Sequence, residues 1–283
     1  MILASLWYIP YMGFDTNSVF KFVKGQFLST KKGFTLIELL VVIAIIALLL
    51  AILMPALGKA KTIAQEVVCK SNLHQYFLAT ELYANENDDR LPPAWHSIYN
   101  DTSTGCRWHD ERYSLEARPD LAGPYWPYLS TKKVNVCPTF NNFARKFHSC
   151  TIPIKVQFSY SMNGYITGRD RDGIKKSQIK SSPSETFIWS EENMWKMKDA
   201  DGTILSNFVL NDNALLVGGA GNAIDSFGSF HKVSKAKFSL QLPPTKGGYG
   251  VYNTGSVNAI MLDGTCIPVT PQDSIKYRGR SSL

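Results

Sequence analysis

Leu39-Leu40-Val41-Val42-Ile43-Ala44-Ile45-Ile46-Ala47-Leu48-Leu49-Leu50-Ala51-Ile52-Leu53-Met54 is a run of sixteen residues without a polar side chain. Widened to Phe34–Leu57 it covers 24 residues, interrupted only by Thr35, Glu38 and Pro55. A helix of that length rises about 36 Å, enough for a hydrocarbon core of about 30 Å. No second stretch of this kind occurs in the sequence. The run therefore predicts one membrane-spanning helix near the N-terminus and a large polar body after it. A secretory signal has a shorter apolar core, about 7–15 residues, with a small-residue cleavage site behind it. Here the run is longer, and Met54-Pro55-Ala56-Leu57-Gly58 is a poor site of that kind. A plain anchor leaves Glu38 unexplained, because an ionisable group inside a span costs about 3 kcal/mol and points to function.

The rest of the composition narrows the class. The chain has 283 residues, 45% apolar and 19% charged, with 20 Gly and 14 Pro. These values exclude a disordered chain, a collagen-like repeat and a long coiled coil. The net charge of +7 comes from 30 Lys+Arg against 23 Asp+Glu, scattered without a dense basic block, so no nucleic-acid partner is expected. Five Cys are too few for a disulfide scaffold.

Immediately before the run stands Lys31-Lys32-Gly33-Phe34-Thr35-Leu36-Ile37-Glu38. This segment resembles the processing site of type IV pilins and type II secretion pseudopilins. The resemblance implies cleavage by a prepilin peptidase between Gly33 and Phe34, on the cytoplasmic side, and N-methylation of Phe34. Lys31, Lys32, Thr35 and Leu36 would be recognised by the processing enzyme. Glu38 becomes the fifth mature residue and an assembly residue, and Pro55 becomes mature residue 22. The chemistry suits those residue types. Gly33 gives a small, flexible backbone for a protease cleft. Cleavage creates an α-amine with a reference pKa of about 8, charged near neutral pH. Glu38 of a neighbouring subunit, or of the same chain one turn away, can pair with that amine and offset two costly charges. Lysines flank the span on both sides, so the orientation, N-terminus cytoplasmic and head periplasmic or extracellular, rests on the motif rather than on charge. Met1 and Met12 are both candidate initiators.

The implied organisation is a leader over 1–33, a transmembrane helix over 34–57, an amphipathic continuation over 58–86 and a β-rich head over 87–283. Ile63, Val67, Leu73, Tyr76, Phe77, Thr80 and Tyr83 approximate one helical face, and Asn85–Asp89 with Pro92-Pro93 marks the stop. Residues 71–95 resemble a subgroup of pilin-like proteins common in planctomycete- and lentisphaera-type bacteria, with a DUF1559-like body. That subgroup has a His, nine residues, then Asp-Gly. Here Asn253 stands in that position before Asp263-Gly264, and His231 lies further upstream with no role assigned. In the head, Val156, Phe158, Tyr160 and Met162 alternate as in a half-buried strand, 186–190 and 257–262 read as strands, and Asp263-Gly264 reads as a hairpin turn into 266–269. Arg169–Gly173 reads as a turn, and 211–228 and 243–256 as long loops. The fold class is α+β: a long N-terminal helix packed on an antiparallel β-rich head.

Candidate chemistry in the head is sparse. His74, His96, His109, His148 and His231 show no zinc spacing, and no nucleophile, nucleotide or zinc-protease motif occurs, so neither catalysis nor a resident metal is expected. Asp199, Asp201 and Asn211-Asp212-Asn213 offer hard oxygens for calcium but lack EF-hand spacing and read as solvated loop residues. Trp95, Trp108, Trp126, Trp189 and Trp195 suit either a sugar-stacking face or the core. Cys69 reads as a small buried helix residue. Cys137 and Cys150 bracket a 12-residue loop and form the favoured disulfide, worth about 3 kcal/mol, with Cys106–Cys266 a second pairing. The functional expectation is a structural subunit that assembles with other pilin-like subunits through its helix. It would sit in the inner membrane by a single span, or in a filament of a type II secretion or type IV pilus system. The rival is an envelope-anchored protein that binds carbohydrate or another polymer and uses the helix for export.

Overall fold

The computed structural model describes residues 33–99, 108, 110–129, 131–147, 155–167, 173–193, 197–198, 204–206, 214–217, 225–231, 250–251 and 255–277. The chain divides into two units, Met1–Ala56 and Leu57–Leu283. In the first unit the apolar run is helical and exposed at every position. It is the opening part of one continuous helix, α1, Leu36–Glu86, with Pro55 in its interior. Pro55 and Gly58 do not end it, as the apolar and amphipathic patterns on either side require.

Burial along α1 begins later than the sequence suggests. Ile63 and Val67 stay exposed, and the buried residues are Cys69, Asn72, Leu73, Tyr76, Ala79, Thr80 and Ala84, a stripe along one helical face. The helix ends after Glu86 because Asp88 and Asp89 take left-handed conformations, φ 53° and 61°. The Asp89 N–H turns back to the Ala84 carbonyl at 2.9 Å, closing a helix end of the αL type.

The second unit is built on a five-stranded sheet. Its strands are, in chain order, β2 (Tyr160–Asn163), β4 (Phe187–Glu191), β7 (Ala214–Leu215), β9 (Val257–Met261) and β10 (Cys266–Val269), following β1 (Arg90–Leu91) and with β3 (Ile174–Lys175) between. The spatial order is β10-β9-β4-β2-β7. All pairs are antiparallel except β2 with β7, a parallel edge supplied from within the expected 211–228 loop. β1 and β3 pair separately. A small third sheet joins β5 (Met197–Lys198), β6 (Ile204–Ser206) and β8 (Gly250–Val251). The β9–β10 hairpin turns where the sequence places it: Gly264 has φ 85° and Asp263 Oδ1 accepts the Thr265 N–H at 2.9 Å.

Two expectations for the head are corrected, and one helix is added. The alternating segment 156–162 is not a half-buried strand. Only Tyr160–Asn163 pairs, and every residue from Val156 to Asn163 is buried, because other segments cover its outward side. The Gln157 N–H donates to the Trp108 carbonyl and the Ser159 N–H to the Asn135 carbonyl, at 2.6 and 2.9 Å. A helix was not anticipated at Pro138–Phe147, here α3 after the short α2 (Lys132–Asn135). Pro138 sits at its first position, where a missing N–H costs nothing, and Phe140, Phe143 and Ala144 form its buried face. Lastly, Cys137 is bonded to Cys69, across 68 residues, rather than to Cys150. The helix stripe brings Cys69 to the start of α3 with Cα atoms 5.2 Å apart, a proximity that sequence spacing does not carry. Cys106, Cys150, the 169–172 part of the turn, Asp199, Asp201 and Asn211–Asn213 lie outside the described residues.

An aromatic and polar lattice fixes α1 to the sheet. The fully buried Trp189 donates its indole N–H to Thr80 Oγ1 at 2.9 Å, and its ring meets Tyr76 edge-on at 4.7 Å. The Tyr76 hydroxyl donates to Asn135 Oδ1 at 2.8 Å, and Asn72 donates to the Tyr160 hydroxyl at 3.3 Å. Trp108 is buried as well, and Trp95 and Trp126 pack partly buried against the core. These four indoles therefore serve the interior.

Candidate functional site

Among the described residues, two groups carry chemistry. The first is the segment that opens α1. Gly33, Phe34, Thr35, Leu36 and Glu38 are all exposed, while Lys31 and Lys32 lie outside the described residues. A Cβ built on Gly33 would meet nothing within 4 Å, so the protein itself does not need glycine there. Thr35 is the residue before the helix, and its carbonyl accepts the first i+4 bond, from the Leu39 N–H at 3.2 Å. Thr35 Oγ1 accepts the Glu38 N–H at 3.3 Å. In return, Glu38 Oε2 accepts the Thr35 N–H at 2.8 Å and the Thr35 hydroxyl at 2.7 Å. This is a reciprocal capping box, Thr-x-x-Glu. The signal was present in the sequence as Thr35-Leu36-Ile37-Glu38, ahead of an apolar run. Glu38 thus has a local partner before any neighbouring subunit is considered. From Leu36 onward the large side chains stay outside: Leu39, Ile43, Leu50 and Met54 are each at least half exposed. A helix of this length and character is long and apolar enough to cross a membrane.

The second group is buried in the head. Cys69 on α1, Cys137 before α3, Glu191 at the end of β4 and His231 present Sγ, Sγ, a carboxylate oxygen and Nε2 all within 4.8 Å of one another. His231 is held by its backbone, which exchanges two hydrogen bonds with Ser256, at 2.8 and 2.9 Å. Its Nε2 lies 2.9 Å from Glu191 Oε2 and 3.5 Å from Cys137 Sγ. Glu191 is fully buried, and among the described residues its Oε1 has no hydrogen-bond partner. Sequence reasoning missed this group because its members are far apart in the chain. Cys266 stands by itself, half-buried with a free thiol. Burial pushes that thiol up to about 11, against the lowering influence of Lys70.

The capped, exposed apolar helix followed by an α+β head is consistent with a pilin-like fold. The comparisons bear on its N-terminal part. Residues 28–54 match the family model of the prokaryotic N-terminal methylation motif. The chain is also similar to the type IV wide pilus major component PilA4 of Thermus thermophilus, with 47% identity over 57 residues. That alignment covers 20% of this chain and 44% of the relative, so the likeness spans less than half the relative's length. No solved structure matches the chain. The head is therefore described by its own geometry.

Proposed function

We propose that this protein is a structural subunit of a pilin-like assembly, made as a precursor, cleaved between Gly33 and Phe34 by a prepilin peptidase and methylated at Phe34. The observation that carries this reading is the capped helix start two residues after the cleavage position, whose exposed apolar run lies in the segment 28–54 that matches the methylation motif. Exposed apolar surface on this scale requires lipid or other helices. The same helix satisfies both in turn, first as a single inner-membrane span and then against copies of itself or related subunits. Cleavage supplies the second element, a charged α-amine at Phe34, one turn from Glu38. In the assembled state Glu38 of one subunit neutralises the amine of the next. The protein is then the substrate of a processing enzyme and has no catalysis of its own. The filament belongs to a secretion or pilus system of the type II and type IV class.

Mass spectrometry of the N-terminal peptide of the protein purified from its native membrane tests this reading. The expected N-terminal peptide begins at Phe34 and carries one added methyl group. Retention of Gly33 or of any residue before it overturns the reading.

A further inference from the structure

We propose that Cys69, Cys137, His231 and Glu191 form a four-ligand site for a zinc-class divalent metal when the cysteine pair is reduced. The disulfide and the metal are then alternative fasteners at one place. The donor set is the first argument. Thiolate sulfur, imidazole nitrogen and carboxylate oxygen are each zinc ligands, at about 2.3, 2.0 and 2.1 Å, and four of them complete a tetrahedron. Such bond lengths put neighbouring ligand atoms about 3.3–3.8 Å apart, and the four donors already lie within 4.8 Å of one another. The two sulfurs must separate once their bond is cut. Nε2 already stands 3.5 Å from Cys137 Sγ.

The second argument is the cost of the cluster without a metal. Glu191 is fully buried, its Oε2 meets His231, and its Oε1 meets no donor among the described residues. A buried carboxylate oxygen left unpaired is expensive. A divalent cation between the carboxylate and the sulfurs removes that cost and organises four otherwise separate chain segments. Two sulfur donors and one nitrogen favour a borderline-soft metal over calcium or magnesium, which take oxygen sets.

The exchange between the two forms balances as a thiol–disulfide reaction followed by ligation. A dithiol reductant transfers two electrons to the Cys69–Cys137 bond and becomes a disulfide itself. The two thiols formed lose two protons to solvent as they bind the cation. Oxidation by a disulfide-donating partner reverses both steps and releases the metal. Either form ties the first buried residue of α1 to the start of α3. The head therefore stays fastened to its helix in a reducing or an oxidising environment.

The test uses the full chain in detergent with Cys106, Cys150 and Cys266 replaced by Ser, so that only the proposed pair can supply sulfur. After reduction by a non-chelating phosphine and removal of dioxygen, cobalt(II) is titrated in. The expected result is one cobalt per chain, with sulfur-to-cobalt charge-transfer absorption and the intense visible bands of a tetrahedral site. Glu191→Gln and His231→Ala should each weaken binding at least about tenfold. The oxidised chain, with Cys69–Cys137 confirmed by peptide mapping, should bind none. Should either variant fail to fold, the parent titration and the oxidised control decide alone. Absence of the sulfur-to-cobalt band in the reduced chain, or equal binding by the oxidised chain, overturns the proposal.

Discussion

Glu38 accepts two hydrogen bonds from Thr35 and is also the one ionisable side chain in the apolar run. These two roles separate by substitution. Glu38→Gln keeps a side-chain oxygen for the Thr35 donors, so the capping box survives while the charge is lost. Glu38→Leu loses both, and a lost cap costs about 1 kcal/mol, little for a 51-residue helix. If the carboxylate neutralises a neighbour's amine, both variants should insert and be cleaved yet fail to enter filaments. If the cap is what matters, the Gln protein should assemble normally and only the Leu protein should fail. Gly33→Arg is the matching control. A Cβ there meets nothing within 4 Å among the described residues, so loss of cleavage with the folded head intact by circular dichroism would report the peptidase cleft rather than a misfolded precursor. Following cleavage and filament incorporation for the three variants side by side distinguishes these outcomes.

At the scale of the element, α1 was the most legible part of the sequence, and for a physical reason. Its signals are local: an uninterrupted apolar run, a three- and four-residue stripe, and a polar stop. The stop was correctly placed, but its mechanism, two consecutive aspartates at positive φ, is a backbone property that composition only hints at. Asp88 is exposed, which makes the mechanism testable. Asp88→Gly removes the steric cost of the left-handed conformation and should raise head stability by up to about 1 kcal/mol. Asp88→Val places a β-branched side chain there and should lower it by about 1–2 kcal/mol. Denaturant melts of the two variants with equal midpoints would show that this turn does not hold the helix end. The strands were legible in part. β4 and β9 form within one residue of the 186–190 and 257–262 segments read as strands, whereas α3 was hidden behind a Cys-Pro pair. The edge strand β7 has only two residues, too few for any periodicity.

For the whole molecule, what stayed illegible was long-range. The Cys69–Cys137 bond and the partners Glu191 and His231 come from four segments that only the folded head brings together. Spacing rules favour the short Cys137–Cys150 loop because a short closure looks easier. The helix stripe overrides that preference by holding Cys69 with its Cα 5.2 Å from that of Cys137. The same docking makes a prediction about independence. The unit Leu57–Leu283 contains the sheet, the disulfide and the entire Trp189–Thr80–Tyr76 lattice. Of the helix it keeps, only the part from Cys69 onward carries buried residues, while Leu57, Ile63, Val67 and Val68 are exposed. A dozen unsupported helical residues are marginally stable in water. The fragment 57–283 should therefore be soluble without detergent and melt cooperatively. In hydrogen exchange its amides over 69–86 should be protected and those over 57–68 should exchange early. Removing the cross-link by Cys137→Ser should cost about 4 kcal/mol under oxidising conditions, the loop-entropy value for a separation of 68 residues. A fragment that needs detergent or melts without cooperativity would mean that the head depends on the membrane segment for its fold. Uniform protection across 57–86 would instead mean that an unrecognised surface supports the exposed part of the helix.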